Sequence, residues 1–308
     1  MNLKTVFCGE EMQNPLILAS GVVWDSIPKL IECAKNGAGA VTMKTIMPEP
    51  RGGNPPPQTA RFEAGLLNAV GLPSKGYLNM EEEWNQLDEL RKLKPKVPLI
   101  ASIGATKDAQ DFAKVAEFVA QKKPDLIELD ISCPNVSKSG KLFATNESLS
   151  TLIIEDVKKV TGKIPVLAKL TPATCNLVEV AKACEEAGAD GLTAINTMPA
   201  MVIDINKKKP VLSFKRGGMS GTALRPIAVR CIYDLYENVD IPIIGLGGVM
   251  NGKDAIELMQ AGATSIGVGT AVIQKGTKIF KTIEKEMIEW MEENGFKDVK
   301  ELIGVAHE

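Results

Sequence analysis

Residues 241–271 read IPIIGLGGVMNGKDAIELMQAGATSIGVGTA, and this stretch decides the fold. An apolar strand at 241–247 ends in glycines. A helical segment follows it and closes at the Ala-Gly-Ala triplet 261–263, and a second strand at 264–269 again ends in glycine. This order indicates two parallel strands joined by a crossover helix, with the glycine of the triplet as the left-handed helix cap.

The same unit recurs along the whole chain. Ala-Gly-Ala triplets also stand at 38–40 and 187–189, where each closes a helix and opens a strand. Strands are predicted at 16–20, 40–44, 98–103, 126–132, 166–170, 191–196, 241–247 and 264–269, and helices at 27–37, 109–123 and 176–188.

Eight strands with crossover-length connections favour one closed architecture. An open doubly wound sheet could use the same turns, but no GxGxxG motif follows the first strand. We therefore predict a (β/α)8 TIM barrel that forms a single domain over 1–308. The start, TVFCGEEM (5–12), is predicted as a hairpin, and 200–216 as an excursion at the C-terminal face of the barrel.

Composition and charge narrow the kinds of partner and cofactor that the protein is expected to bind. The 308 residues include 36 basic and 38 acidic side chains, so the net charge of -2 gives no reason to expect a nucleic-acid partner. The start, MNLKTVFCGEE, lacks the build of a signal peptide, and no apolar run approaches the roughly 18 residues of a membrane span. The six cysteines form no CxxC pair that could hold zinc or an iron–sulfur cluster. We expect a cytoplasmic protein with a small-molecule ligand and no membrane partner.

In such barrels the reactive groups follow the carboxyl ends of the strands. Those positions carry Ser20, Gly21, Lys44, Thr45, Ser102, Asp130, Cys133, Asn135, Lys169, Asn196, Thr197, Gly247, Gly248, Gly269 and Thr270. The glycines after the last two strands predict a phosphate site made of backbone amides, although they could instead make tight turns only.

Two lysines stand at strand ends. A lysine there could be solvated, bind an anion or form a Schiff base. Lys169 follows the apolar run 166–168, so its stem starts in the barrel lining and its ammonium needs an anionic partner or must lose its proton. Lys44 has a less apolar context. We predict a functional role for both.

Cys133 is the candidate for proton transfer. Pro134 follows it directly after a strand, which ends the strand and projects the thiol into the mouth. The only histidine is His307, so neither a Cys–His pair nor a Ser–His–Asp triad is expected at the mouth. The other cysteines are read as inert core residues: Cys8, Cys33, Cys175, Cys184 and Cys231.

ISCPN (131–135) and further motifs along nearly the whole chain resemble a known family, the class 1 dihydroorotate dehydrogenases, and within it the class 1B branch. The resemblance rests on NPLILASG (14–21), MKT (43–45), EPRGGNPPPQTAR (49–61), LLNAVGLPSKG (66–76), IELDISCPNV (127–136), LAKLTP (167–172), LTAINT (192–197), GGMSGTALRPIA (217–228), VDIPIIGLGGV (239–249) and AGATSIGVGTA (261–271). The EPRGGNPPP loop and the GGMSG turn favour class 1B over the fumarate-using class 1A.

The resemblance implies FMN-dependent oxidation of (S)-dihydroorotate to orotate in de novo pyrimidine synthesis. Cys133 would remove the C5 proton while a hydride passes from C6 to FMN, and 134–146 would form a lid. FMN would be held by Ser20, Gly21, Lys44, Thr45, Lys169, Ser220, Gly221, Gly247, Gly248, Gly269 and Thr270, with Lys169 beside the pyrimidine side of the flavin. Orotate would contact Lys44, Asn68, Asp130, Asn135, Asn196 and Thr197.

Position 130 departs from the family pattern, which has asparagine there. A carboxylate only accepts hydrogen bonds, whereas an amide also donates. Asp130 is therefore expected to be protonated, to turn toward a lysine, or to accompany a different substrate.

The resemblance also implies a homodimer and a second subunit with FAD and an iron–sulfur cluster that passes electrons to NAD. Two enzymatic alternatives stay open, and a third is a non-catalytic scaffold, which the lysines and the thiol at the strand ends disfavour. One is an FMN-dependent dehydrogenase of another dihydropyrimidine, of the dihydrouracil or dihydrothymine type. The other is a flavin-free barrel such as a phosphosugar isomerase or a Schiff-base aldolase, with Lys169 as its amine.

Overall fold

A computed structural model describes residues 1–106, 108–132 and 146–307. Its strands are β1 Thr5–Phe7, β2 Glu10–Met12, β3 Leu16–Leu18, β4 Ala40–Thr42, β5 Thr59–Phe62, β6 Gly65–Asn68, β7 Leu99–Ile103, β8 Leu126–Leu129, β9 Val166–Lys169, β10 Gly191–Ala194, β11 Met198–Ala200, β12 Ile203–Asp204, β13 Lys209–Pro210, β14 Gly217–Ser220, β15 Ile243–Leu246 and β16 Ser265–Val268. Its α-helices are α1 Ile27–Lys35, α2 Glu81–Gln86, α3 Asp88–Arg91, α4 Gln110–Gln121, α5 Glu147–Thr161, α6 Leu177–Glu186, α7 Arg225–Tyr236, α8 Gly252–Gln260, α9 Thr270–Lys275 and α10 Ile279–Asn294.

Eight parallel strands close into a barrel, in the order β3-β4-β7-β8-β9-β10-β15-β16 and back to β3. The predicted (β/α)8 barrel is confirmed, and each predicted strand is present with slightly shorter bounds. The barrel strands are almost entirely buried because side chains fill the interior and helices cover the outside, which explains their nearly unbroken apolar runs.

The longer outer helices bury an apolar stripe, as α4 shows. On α4 the buried residues are Phe112, Val115, Ala116 and Val119, which lie on one helical face. Side-chain caps define three α-helix starts: Ser26 accepts from the backbone N–H of Lys29, Asn146 from that of Leu149, and Asn251 from that of Asp254. No helix in the described ranges is both long enough and apolar enough to cross a membrane.

The predicted N-terminal hairpin is confirmed. Strands β1 and β2 pair antiparallel with Thr5 opposite Met12. Phe7 and Met12 pack against residues near the beginnings of barrel strands, among them Ala40 and Leu126. The hairpin therefore covers the end of the barrel opposite to the strand carboxyl ends.

The excursions at the other end form more structure than the sequence predicts. A four-stranded antiparallel sheet has the order β11-β14-β6-β5, and β12 pairs with β13 inside the predicted excursion. The interpretation of GGMSG as a turn is wrong, since residues 217–220 form β14. Its glycines allow the close approach, because a Cβ at Gly218 would collide with the Thr197 side chain.

Candidate active site

The main described cavity opens at the carboxyl ends of the barrel strands and has a volume of about 750 Å³. Among its lining residues are predicted site residues from nine parts of the chain: Ser20, Gly21, Lys44, Thr45, Asn68, Asp130, Lys169, Asn196, Thr197, Ser220, Gly221, Gly247, Gly248, Gly269 and Thr270. Cys133 and Asn135, together with the predicted lid except for Asn146, lie outside the described residues. The barrel thus brings together every described residue that the resemblance assigns to FMN or orotate, whereas Ser102, also named at a strand end, is buried and does not line the cavity.

Lys169 is buried at the carboxyl end of β9 and has the anionic partner that the sequence requires. Its ammonium Nζ lies 3.4 Å from Oε1 of Glu128 on the neighbouring strand β8, and both side chains are about 5% exposed. The same Nζ donates to the Ser20 hydroxyl at 2.9 Å. The Glu128 Oε2 accepts from Thr193 Oγ1 at 3.0 Å. The lysine is therefore held between a carboxylate inside the barrel and a hydroxyl that lines the cavity.

Sequence reasoning missed Glu128. The available signal was a charged residue in the middle of an otherwise apolar strand, LIEL (126–129). Such a carboxylate is rarely buried without a cationic partner. Lys169, at the end of the neighbouring strand, was the candidate for that cationic partner.

Asp130 belongs to a closed polar group with Ser132 and Asn196. The Ser132 hydroxyl donates to Asp130 Oδ1 at 2.9 Å, and Asn196 Nδ2 lies 2.7 Å from Ser132 Oγ and 3.4 Å from Asp130 Oδ1. The backbone N–H of Thr197 donates to Asn196 Oδ1 at 2.8 Å. Asp130 therefore uses its accepting capacity on a neighbouring hydroxyl and amide, a solution that the sequence analysis did not consider.

Three further residues of the cavity wall are fixed by nearby groups. Asn68 at the end of β6 donates through Nδ2 to the carbonyl of Gly218 at 3.2 Å. Thr45 Oγ1 lies 3.2 Å from the Ser102 hydroxyl. The stem of Lys44 packs beside Gly21, where a Cβ would lie 3.6 Å from its Cδ.

The glycine turns after β15 and β16 form one side of the cavity. Gly247 and Gly248 have φ values of 149° and 78°. Within the described part of the chain, no hydrogen-bond acceptor takes up the backbone N–H of Gly247, Gly248 or Gly269. Thr270, which directly follows Gly269, donates through Oγ1 to the Ser220 hydroxyl at 2.8 Å. Donors without protein acceptors beside a cavity suit an anionic ligand.

Asp254 at the start of α8 holds the first of these turns in place. Its Oδ2 accepts from the backbone N–H of Met250 at 2.9 Å, and its Oδ1 pairs with the Arg225 guanidinium. Arg225 in turn packs on Gly248, where a Cβ would lie 2.6 Å from that of Arg225 and 2.8 Å from its backbone nitrogen.

Gly248→Ala is expected to lower the free energy of unfolding by about 1–3 kcal/mol, since alanine at a positive φ is strained and its Cβ would meet the Arg225 backbone. Urea denaturation of the two proteins measures this difference. Gly52→Ala is the control because a Cβ there meets no atom within 4 Å. Equal stability of Gly248→Ala and the unchanged chain would contradict this account of the turn.

The remaining cysteines and the histidine lie away from the chemistry. Burial raises the pKa of Cys8, Cys33 and Cys184 to about 12 and that of Cys231 to about 11. These thiols stay protonated at neutral pH, as predicted for inert cysteines. The prediction is wrong for Cys175, which is exposed in the segment after β9. His307 stacks on Tyr233 with ring centroids 3.7 Å apart, and it does not line the described part of the cavity.

Comparison with known proteins agrees with this geometry. The sequence profile of a family described as "Dihydroorotate dehydrogenase" matches residues 2–291. The chain is 44% identical over 307 residues to the "Dihydroorotate dehydrogenase B (NAD(+)), catalytic subunit" of Methanocaldococcus jannaschii, which covers 99% of this chain and 98% of that protein. It is 42% identical over 307 residues to the protein of the same name from Pyrococcus furiosus, and the match covers 99% of this chain and 99% of that protein.

A third relative with this name, from Methanosarcina acetivorans, is 41% identical over 303 residues, which are 97% of this chain and 94% of that protein. The resemblance predicted from the sequence motifs is therefore confirmed. The chain belongs to the dihydroorotate dehydrogenase family.

Proposed function

We propose that this chain oxidises (S)-dihydroorotate to orotate in de novo pyrimidine synthesis, with FMN as its cofactor. The observation that carries the proposal is the cavity of about 750 Å³ in which a buried lysine, two glycine turns and three polar strand ends converge. The family to which the chain belongs names the reaction.

The described residues fit FMN on three sides. Gly247, Gly248, Gly269 and Thr270 would hold the phosphate, because their turns present backbone N–H groups without protein acceptors. Ser20, Gly21, Lys44, Thr45, Ser220 and Gly221 would form the rest of the cradle. The ammonium of Lys169 would supply positive charge beside the flavin, where negative charge develops on reduction.

When bound, FMN accepts the hydride that leaves C6 of dihydroorotate. The chain itself must remove the proton from C5. We assign this step to the thiol of Cys133, which directly follows Ser132 in the sequence. A free thiol has a pKa of about 8.5, and neighbouring positive charge lowers the pKa toward neutral pH, where a general base works best.

Dihydroorotate would lie against the polar strand ends. Its carboxylate and ring carbonyls accept hydrogen bonds, and the donors available are Lys44, Asn68, Asn135, Asn196 and Thr197. In the described structure the Asn196 amide donates to Ser132 and Asp130. Substrate binding therefore requires Asn196 to share or exchange these bonds.

The alternative substrate class, dihydrouracil or dihydrothymine, lacks the carboxylate that these donors would bind. The names of the relatives do not favour it. Anaerobic reduction of the bound flavin by each of the three compounds tests the choice. We expect the second-order rate constant for flavin reduction by dihydroorotate to exceed the other two values by roughly 10³-fold or more, because the other compounds leave the donors for the carboxylate unpaired. Comparable values for dihydrouracil would overturn the assignment of substrate.

Asp130→Asn is expected to tighten orotate binding by roughly tenfold, because the change adds a donor and removes a negative charge beside an anionic ligand. Orotate titration of the flavin absorbance measures the dissociation constant. Asp88→Asn is the control, since Asp88 pairs with Arg91 on the surface of α3 and its loss changes the net charge equally. Loss of turnover in Asp130→Asn would instead make the carboxylate part of the mechanism.

We also propose that the chain works in a larger assembly. Its relatives are named catalytic subunits of an NAD(+)-dependent enzyme. A homodimer of this chain would bind a second subunit, which carries FAD and an iron–sulfur cluster and passes electrons to NAD. Single-domain organisation and a cytoplasmic location stay predictions.

A further inference from the structure

Glu128 lies behind the proposed flavin site without reaching it. It stands in the middle of β8, is 3% exposed, and is flanked along the strand by buried Ile127 and Leu129. Its contacts are with residues of the next two barrel strands, so its side chain is inside the barrel. It does not belong to the described lining of the cavity.

Three strands combine to fix one ammonium group. Glu128 Oε1 lies 3.4 Å from Lys169 Nζ, and its Oε2 accepts from Thr193 Oγ1 at 3.0 Å. Thr193 is the register partner of Lys169 in the β9–β10 pair. On the cavity side, Nζ donates to Ser20 Oγ at 2.9 Å. The Glu128 carboxylate thus holds the ammonium from the barrel interior, and the Ser20 hydroxyl holds it from the cavity side.

Stability alone does not explain a buried pair of this kind. Replacing both members of a buried ion pair by apolar residues is often neutral or stabilising, whereas removing one member leaves an uncompensated charge. Only one member of this pair, Lys169, reaches the cavity. The role of the ion pair therefore lies in the contacts that Lys169 makes in the cavity.

We propose that Glu128 is a positioning residue, which holds the Lys169 ammonium in place at the cavity floor and thereby sets how tightly the chain binds FMN. The inference rests on the proposed cofactor. In this proposal Glu128 acts on FMN only through Lys169. Replacing Glu128 should therefore not weaken FMN binding when the lysine is absent.

The test is a double-mutant cycle on apo protein. FMN dissociation constants are measured by quenching of FMN fluorescence for the unchanged chain, Glu128→Gln, Lys169→Met and the double variant. Glu128→Gln is expected to weaken binding by about 10- to 100-fold when Lys169 is present, because a hydrogen bond between charged groups is lost. In the Lys169→Met background the same change removes an uncompensated buried carboxylate, so binding should stay equal or improve.

Two variants separate positioning from general damage to the fold. Glu128→Asp keeps the charge and should recover part of the lost affinity. Glu83→Gln removes another buried glutamate, which pairs with Lys75 on a different part of the surface and does not line the described cavity, so it should leave FMN affinity unchanged. Circular dichroism melting of each protein confirms that the titrations are made on folded chains.

Each outcome decides the matter. An equal loss of affinity in both backgrounds would overturn the proposal, since Glu128 would then support the barrel only. Unchanged affinity in Glu128→Gln would overturn it as well, while leaving the cofactor assignment intact. A wild-type chain that bound no FMN would overturn the cofactor assignment and with it this inference.

Discussion

Cys133→Ala is expected to leave FMN bound and to lower kcat for dihydroorotate at pH 7 by roughly 10²- to 10⁴-fold, the usual contribution of a general base. The reason is the scarcity of other bases. His307 is stacked on Tyr233 outside the described cavity lining, and burial holds four other thiols protonated at this pH. Steady-state kinetics and the flavin content of the purified variant measure both parts of the expectation.

The control for this experiment is Cys175→Ala. Cys175 is the exposed cysteine among those the structure describes, and it does not line the cavity, so its variant should keep full turnover. If Cys133→Ala turned over dihydroorotate at the normal rate, the thiol would not be the base. Loss of flavin from Cys133→Ala would show instead that the residue supports cofactor binding.

Lys169→Met is expected to have the second large effect, on both stability and cofactor. The change leaves Glu128 as a buried carboxylate without its cation, which should lower the free energy of unfolding by about 3–5 kcal/mol. It also removes the positive charge beside the proposed flavin, so FMN affinity should fall by roughly 100-fold. Urea denaturation of the apo protein and FMN titration measure the two effects separately.

Lys114→Met serves as the control, because Lys114 pairs with Asp111 on the exposed face of α4 and surface pairs of this kind contribute little. Normal flavin content together with normal stability in Lys169→Met would dismiss the role of the lysine. Normal stability with lost flavin would keep its role toward FMN but remove the energetic argument about Glu128.

The barrel could be predicted because each of its strands has a recognisable local sequence pattern. Each barrel strand is a short apolar run, and three Ala-Gly-Ala triplets mark where a helix ends and a strand begins. The accessory sheet could not be predicted in the same way. Its strands β6 and β14 pair across about 150 residues of sequence, with Asn68 opposite Gly218, and neither strand has a strong pattern of its own.

The candidate site could likewise be predicted only in part. Strand ends place Lys44, Lys169 and the glycine turns at one face of any closed parallel barrel, so their convergence could be predicted. Their partners could not, because hydrogen bonds depend on side-chain direction across strands. The pairing of Lys169 with Glu128 and the capture of Asp130 by Ser132 and Asn196 needed the folded structure.

The most direct test of the central claim is an anaerobic visible spectrum of the purified chain before and after addition of dihydroorotate. The account predicts a flavin band that bleaches when dihydroorotate is added, which would establish the cofactor and the substrate together. A flavin band that stays oxidised would contradict the proposed substrate and move attention to another dihydropyrimidine. A colourless chain that could not be reconstituted with FMN would contradict the central claim itself.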